Sequence, residues 1–240
     1  MLSIVIPVLN EAATLERLLP YLGAVCPEAE VIVADGGSSD GSAAVPPRFP
    51  GVRLVMSRRG RACQMNVGAS AATGDVLLFL HADTRLPAGA SAAIGEALQD
   101  PRVVGGRFDV RLASERLLLR VVGGMMNFRS RLTGISTGDQ AIFVRRDVFE
   151  AMGGYAEIPL MEDVEFTGRM KRRGRLAALR LRVTTSARKW EREGILRTIL
   201  LMWTLRFLYF VGVSPARLHR WYYPKLHPAV VTAESPPPQT

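Results

Sequence analysis

The amino-acid sequence predicts an α/β fold, a mostly parallel sheet with helices on both faces, followed by a helical C-terminal appendage. Three observations carry this. Short runs dense in Val, Ile and Leu recur at 2–7, 30–34, 52–56 and 75–80; they are continuous rather than alternating, as strands buried on both faces require. Helix-like stretches at 11–22 and 63–72 separate most of them, the alternation of a sheet covered on both sides. Three of the runs give way to polar and acidic residues at their carboxyl ends, the rim at which open sheets of this kind bind ligands.

Taken in order, the first strand ends in Pro7-Val-Leu-Asn10-Glu11, the second in Asp35-Gly-Gly-Ser-Ser-Asp40-Gly, and the fourth in His81-Ala82-Asp83. The third is followed by a Gly-containing loop with Arg58, Arg59 and Arg61. Beyond them the pattern predicts a helix at 90–98, a strand at 103–110, a helix at 115–128 and a loop at 129–137. A strand at 141–144, helices at 147–152 and 163–173, and a strand at 176–182 follow. The apolar run at 195–213 is about long enough to span a bilayer, but it carries Arg197 and Arg206. Nine residues at 100° apiece put these on opposite faces of a helix. It therefore reads as a helix packed in the fold or a homodimer interface, or lying in a membrane surface with its arginines snorkelling. Residues 1–190 form the expected main domain, 191–228 an apolar helical extension, and 229–240, with Ser235-Pro-Pro-Pro, a disordered tail.

The chain has 240 residues, enough for one sizeable core. Lys and Arg outnumber Asp and Glu by 31 to 22, a net charge of +9 that suits an anionic partner: nucleic acid, a nucleotide diphosphate or an acidic membrane. Two dispersed cysteines, Cys26 and Cys63, exclude a disulfide framework and a zinc site and point to a reducing cytoplasm. The N-terminus carries no basic leader, and its apolar run is too short for a signal peptide.

The rim residues carry the chemistry. Gly36 and its neighbours after Asp35 allow backbone amides to approach a ligand, and an aspartate at a strand end can accept hydrogen bonds from a base or a ribose; the same segment also reads as an ordinary turn. On an extended chain His81 and Asp83 would share one side, suiting a divalent cation that bridges a diphosphate, with the imidazole shifting the preference from Mg²⁺ towards Mn²⁺. A hydrogen-bonded histidine beside a turn-forming aspartate is the plainer alternative. Glu162 and Asp163 open a helix closed by Lys171-Arg172-Arg173. A carboxylate there can serve as a general base, although helix capping explains the same residues.

The ordered set IVIPVLNE, VIVADGGSSDGS, GRACQMNVGASAATGDVLLFLHADT, GDQAIFVRRDVFEAMGGY and MEDVEFTGRMKRRG resembles the family-2-type inverting glycosyltransferases with the GT-A fold, over about residues 1–190. It is also similar to a bacterial subgroup whose members accompany radical-SAM enzymes and are assigned to arsenosugar biosynthesis. The resemblance implies a nucleotide-sugar donor, UDP- or GDP-linked, a hydroxyl acceptor, and Mn²⁺ or Mg²⁺ as cofactor. Pro7, Asn10, Glu11, Asp35, Gly36, Arg61 and Ala82 would hold the donor nucleotide. Asp83 and His81, at the family's Asp-x-Asp, would hold the metal. Gly138, Asp139 and Gln140 would lie by the donor sugar or acceptor, and Asp163, with Glu162, would deprotonate the acceptor. His81 departs from the family's first aspartate, which leaves Asp83 as the main metal ligand. Arg188 and Trp190 only loosely echo the Gln-x-x-Arg-Trp of processive synthases, so a single transfer is expected.

Three other readings compete. A phosphatase with an aspartyl nucleophile would need an acid where His81 stands. A nucleotide-sugar-binding protein without catalysis fits that same substitution. A nucleic-acid module fits the charge but lacks interleaved aromatics or a reader motif, and no nucleic acid is expected as a partner. The protein is expected in the cytoplasm, with the 195–213 helix allowing peripheral contact with the inner membrane face.

Overall fold

The computed structural model describes residues 1–223. Eight strands form one sheet in the order β3-β2-β1-β4-β7-β6-β8-β5: β1 Leu2–Val8, β2 Glu30–Asp35, β3 Val52–Met56, β4 Val76–Phe79, β5 Thr84–Arg85, β6 Val103–Ala113, β7 Ile142–Arg145 and β8 Arg175–Ser186. The first four, in sequence order, pair in parallel. The second half is mixed, with β7 antiparallel to both β4 and β6 while β6 and β8 run parallel.

Alternate residues of the central strands serve two cores. Ile4, Ile6, Val8, Val33 and Leu78 pack with Leu15, Leu18 and Leu22 of helix α1 (Ala12–Val25) and Ile94 of α3 (Ala90–Ala97). Val5, Ile32, Leu77 and Phe79 face the other way. They meet Ala62 and Met65 of α2 (Arg61–Ala71) and a knot of Phe149, Tyr155 and Phe166, in which the Tyr155 and Phe166 rings stack at 4.0 Å. Burial on both faces is why these strands read as unbroken apolar runs.

Four expectations need correction. Helix α4 (Leu117–Thr133) runs through the start of the anticipated loop and stops at Gly134, whose φ of 72° supplies the left-handed cap. The strand at 176–182 extends to Ser186. His81 and Asp83 are not on an extended segment: Thr84 N–H bonds to His81 O at 3.0 Å and closes a turn, because β4 loses its partner after Phe79. Helix α6 (Glu162–Met170) begins at Glu162, with Met161 rather than Asp163 in the cap position, and the basic triplet follows its end.

The chain continues through α5 (Arg146–Ala151), and then, after β8, α7 (Arg188–Glu193), α8 (Ile195–Phe210) and α9 (Pro215–Tyr222). Leu205 of α8 and Leu218 of α9 bury themselves against Met161 and Val164 at the head of α6, so the extension is packed onto the main domain beside the expected base. No described helix is long and apolar enough to cross a membrane. The expected disordered tail, 229–240, lies outside the described residues.

Candidate active site

The loops after β1 and β2 are tied to each other. Asn10 N–H donates to Ser38 Oγ and Ser39 N–H to Asn10 Oδ1, both at 2.8 Å; Glu11 N–H donates to Ser42 Oγ at 2.8 Å, and Ala12 N–H to Asp40 Oδ2 at 3.0 Å. The first free amides of α1 are thereby capped from the neighbouring loop. Asp35 is fully buried. Its Oδ1 accepts the amides of Gly37 and Ser38 at 2.8 and 2.7 Å, while its buried Oδ2 has no partner among the described residues. Such an acceptor is costly unless a ligand donor reaches it. Gln64 of α2, which sequence reasoning missed, clamps both strand ends, donating from Nε2 to Val8 O at 2.5 Å and Ala34 O at 3.0 Å. A side chain at Gly36 would meet Gln64 Cδ at 2.9 Å, so the glycine is needed for close approach. Pro7 remains within β1, opposite Ala34, and Ala82 turns its methyl into the core.

The second focus is His81, whose Nδ1 stands 3.3 Å from Asp139 Oδ1. Gly138 packs so closely that a Cβ there would sit 2.3 Å from His81 Nε2. Burial pushes the Asp83 carboxyl above the usual aspartate range; His81 and Arg188 oppose this, while Asp139 and Glu11 add repulsion. Burial acts likewise on Asp139, but the hydrogen bond and charge of His81, with Arg61 and Lys189, bring its pKa below the ordinary value. Among the described residues no three His, Cys, Asp or Glu side chains form a ready metal cage. Asp83 nonetheless suits a hard cation: it is a crowded carboxylate whose charged form awaits a positive partner. Mg²⁺ in particular is commonly held by one or two carboxylates plus substrate phosphates.

The third focus is the head of α6. Asp163 Oδ1 accepts its neighbour's amide at Val164 (2.7 Å), and Oδ2 accepts Gly138 N–H at 2.9 Å. Glu162 is buried, and burial together with the Asp163 charge raises its pKa against the pull of Arg61. Among the described residues three non-glycines have positive φ: Asn10 (57°), Ala141 (48°) and Met161 (70°). Each adjoins a residue singled out from sequence, namely Glu11, Gln140 and Glu162. Strain of this kind persists where the surroundings over-determine the backbone, as at functional sites.

Basic groups complete the cleft. Arg61, an exposed residue, opens α2; desolvation disfavours its charge, but Glu162, Tyr223, Asp139 and Asp163 more than offset this and raise its pKa. Lys189 of α7, not foreseen, is lowered by burial and lies over the Tyr222 ring at 3.8 Å, within the fields of Asp139 and Arg61. Arg188 attracts Asp83, whereas Trp190 packs with Leu119 and Val122. Arg58 pairs outward with Glu157. Arg129 of α4 and Arg206 of α8, also unforeseen, both feel the charge of Asp163. These three came from segments read as loop, appendage or weak motif, which offered no local signal.

The pattern defining glycosyl transferase family 2 matches residues 3–153, more than half of the chain. This chain belongs to that family. A PGL/p-HBAD biosynthesis glycosyltransferase of Mycobacterium bovis is 35% identical over 167 residues, covering 65% of this chain and 63% of the relative. An undecaprenyl-phosphate 4-deoxy-4-formamido-L-arabinose transferase of Sodalis glossinidius is 33% identical, covering 62% of this chain and 50% of the relative. The chain thus spans between half and two thirds of these relatives. Among solved structures, the mannosyltransferase PcManGT of Pyrobaculum calidifontis, in complex with GDP-Man and Mn²⁺, superposes with a TM-score of 0.67 at 22% identity, over 92% of this chain and 69% of that one. Staphylococcus aureus TarS 1-349 with UDP-GlcNAc does so with a TM-score of 0.58 at 18% identity, over 77% and 58%. The fold of this family-2 chain is the GT-A fold.

Proposed function

We propose that this family-2 chain is an inverting glycosyltransferase that moves one sugar from a nucleotide-diphosphate donor to an acceptor hydroxyl. The observation that carries the reading is the turn Gly138-Asp139-Gln140: its first amide holds Asp163 Oδ2 at 2.9 Å while its aspartate pairs with His81 at 3.3 Å. One short segment thereby couples the base motif to the diphosphate motif, and such coupling suits a displacement in which proton removal and departure of the diphosphate are concerted.

Asp163, oriented by the Gly138 amide, takes the proton of the acceptor hydroxyl. The freed oxygen attacks the anomeric carbon from the side opposite the diphosphate, whose bond to that carbon breaks with inversion. Asp35 Oδ2 receives a donor N–H or O–H of the nucleoside, and Arg61 and Lys189 face the departing charge. Asp83, with His81 at its side, is the group that would hold Mn²⁺ or Mg²⁺. When bound there, the ion supplies Lewis-acid stabilisation of the leaving diphosphate. GDP-Man with Mn²⁺ in one structural neighbour and UDP-GlcNAc in another support this class of donor.

A thermal-shift screen of UDP-, GDP- and dTDP-sugars with and without Mn²⁺ tests the reading, since a ligand of the folded state raises its apparent stability. At least one donor should raise Tm, more so with Mn²⁺, and Asp83→Ala should remove the metal-dependent part. Equal shifts with and without metal refute the Asp83 assignment. Asp163→Asn should keep donor binding and lose transfer by about 10²-fold or more; normal turnover in that variant removes the base.

A further inference from the structure

Arg129 and Arg206, both half-buried, stand apart from the arginines that hold a carboxylate. Arg107 and Arg131 share the Asp109 carboxylate of β6, and Arg169 grips Glu165. Arg129 and Arg206 make no salt bridge among the described residues, and the Nε and Nη2 atoms of Arg129 are buried with no hydrogen-bond partner. Burial and the charge of Arg206 bring the pKa of Arg129 down to about 10, and Asp163 pulls the other way; Arg206 is lowered by burial with Asp163 again opposing. Buried guanidinium nitrogens without acceptors, as on Arg129, are unfavourable unless a ligand supplies them. The forked donors of arginine suit the oxygens of a phosphate.

The helices that carry them are unusual on their outer sides. On α4, Leu118, Val121, Met125, Phe128 and Leu132 are exposed, and their spacings of three and four put them in one stripe. On α8, Leu196, Leu200, Trp203, Phe207 and Phe210 form a second exposed stripe of the same period. The two helices are neighbours, joined by Leu119, Val122 and Met126 against Ile195 and Ile199. Arg206 is half-buried and feels the charge of Asp163, while Arg197, on the opposite face of α8, is exposed. Apolar stripes outside and unpaired arginines inside, on the same two helices, match a molecule with an apolar chain and a phosphate head.

We infer that Arg129 and Arg206 bind the phosphate of a lipid acceptor, whose apolar chain lies along the exposed stripes of α4 and α8 in a membrane surface. This rests on the proposed transferase reading for the word acceptor alone; the binding itself is independent of turnover.

Equilibrium binding of farnesyl phosphate, farnesol and inorganic phosphate to the full chain tests it, read by calorimetry and by the part of the tryptophan fluorescence that Trp203→Phe removes. Farnesyl phosphate should bind saturably, and Arg129→Gln or Arg206→Gln should each weaken it about tenfold or more, the loss of a charge-assisted contact. The weak binding of farnesol should be unchanged in both variants. Tm should hold or rise in both, because removing one unpaired charge relieves repulsion. A merely structural role would lower Tm and leave the preference for farnesyl phosphate over farnesol intact, overturning the inference. Inorganic phosphate binding as tightly as farnesyl phosphate would overturn the lipid source, and a dimer in solution that buries Trp203 would assign the stripes to a second copy. Failure of every nucleotide sugar to bind refutes the transferase reading without touching the phosphate arm.

Discussion

Glu162 and Asp163 adjoin in sequence, yet the fold treats them differently. Asp163 has both oxygens engaged by main-chain amides, which orient it; Glu162 is buried with its pKa raised by burial and by Asp163. A carboxyl group with a raised folded pKa binds its proton more tightly in the native state than in the unfolded chain. Its contribution therefore favours folding at low pH and declines as pH rises from the ordinary glutamate value of 4.5 through the raised one. Glu162→Gln should abolish that decline, so its Tm relative to the parent should climb between acid and neutral pH. Parallel melting curves at all pH values would show that Glu162 carries no such penalty. Likewise His81 is a residue whose role only neighbours define: Asp139 on Nδ1 and the Gly138 backbone beside Nε2 leave Asp83 as the freer candidate for a cation.

At the scale of the element, the Asp35 end of the cleft depends on the ends of β1 and β2, where the sheet ladder finishes at Val8 opposite Asp35 and a side chain adds to it. Gln64 is that side chain, projecting from α2 to bond Val8 O and Ala34 O while remaining 3% exposed. Gln64→Leu keeps the volume but removes two buried hydrogen bonds and leaves Val8 O with the Gly36 amide alone, at a cost of about 1–3 kcal/mol. Chemical denaturation should show that loss, and donor binding should weaken with it; unchanged stability would mean water replaces the amide. Strand and helix positions in the first hundred residues were legible because burial on both faces and the Gly/Ser/Asp loops leave strong patterns, and the bounds moved by only a few residues. The turn at 81–84 was not legible: a run of apolar residues says where a strand can continue, whereas the loss of a pairing partner after Phe79 decides where it stops.

At the scale of the molecule, the C-terminal helices complete the site rather than trail from it. Leu205 is 1% exposed and packs with Met161 and Leu218, directly beneath the strained cap of α6. Leu205→Ala should cost about 2–5 kcal/mol and reduce transfer beyond what the lost stability explains, since Met161 sets the position of Glu162 and Asp163. Full activity measured below the melting transition would uncouple α8 from the site.

By itself the sequence determined the α/β class, the parallel first half of the sheet, and the acidic residues at the strand ends, because these depend on local periodicity and on turn chemistry a few residues long. Only the tertiary structure decided which of those residues meet, since β7 must pair antiparallel with β4, Ile142 opposite Phe79, before the Gly138 turn can face His81 and hold Asp163. It alone turned Arg129, Lys189 and Arg206 inward, for the direction of a charged side chain on a helix is set by what packs against that helix, and those partners lie far away in the chain.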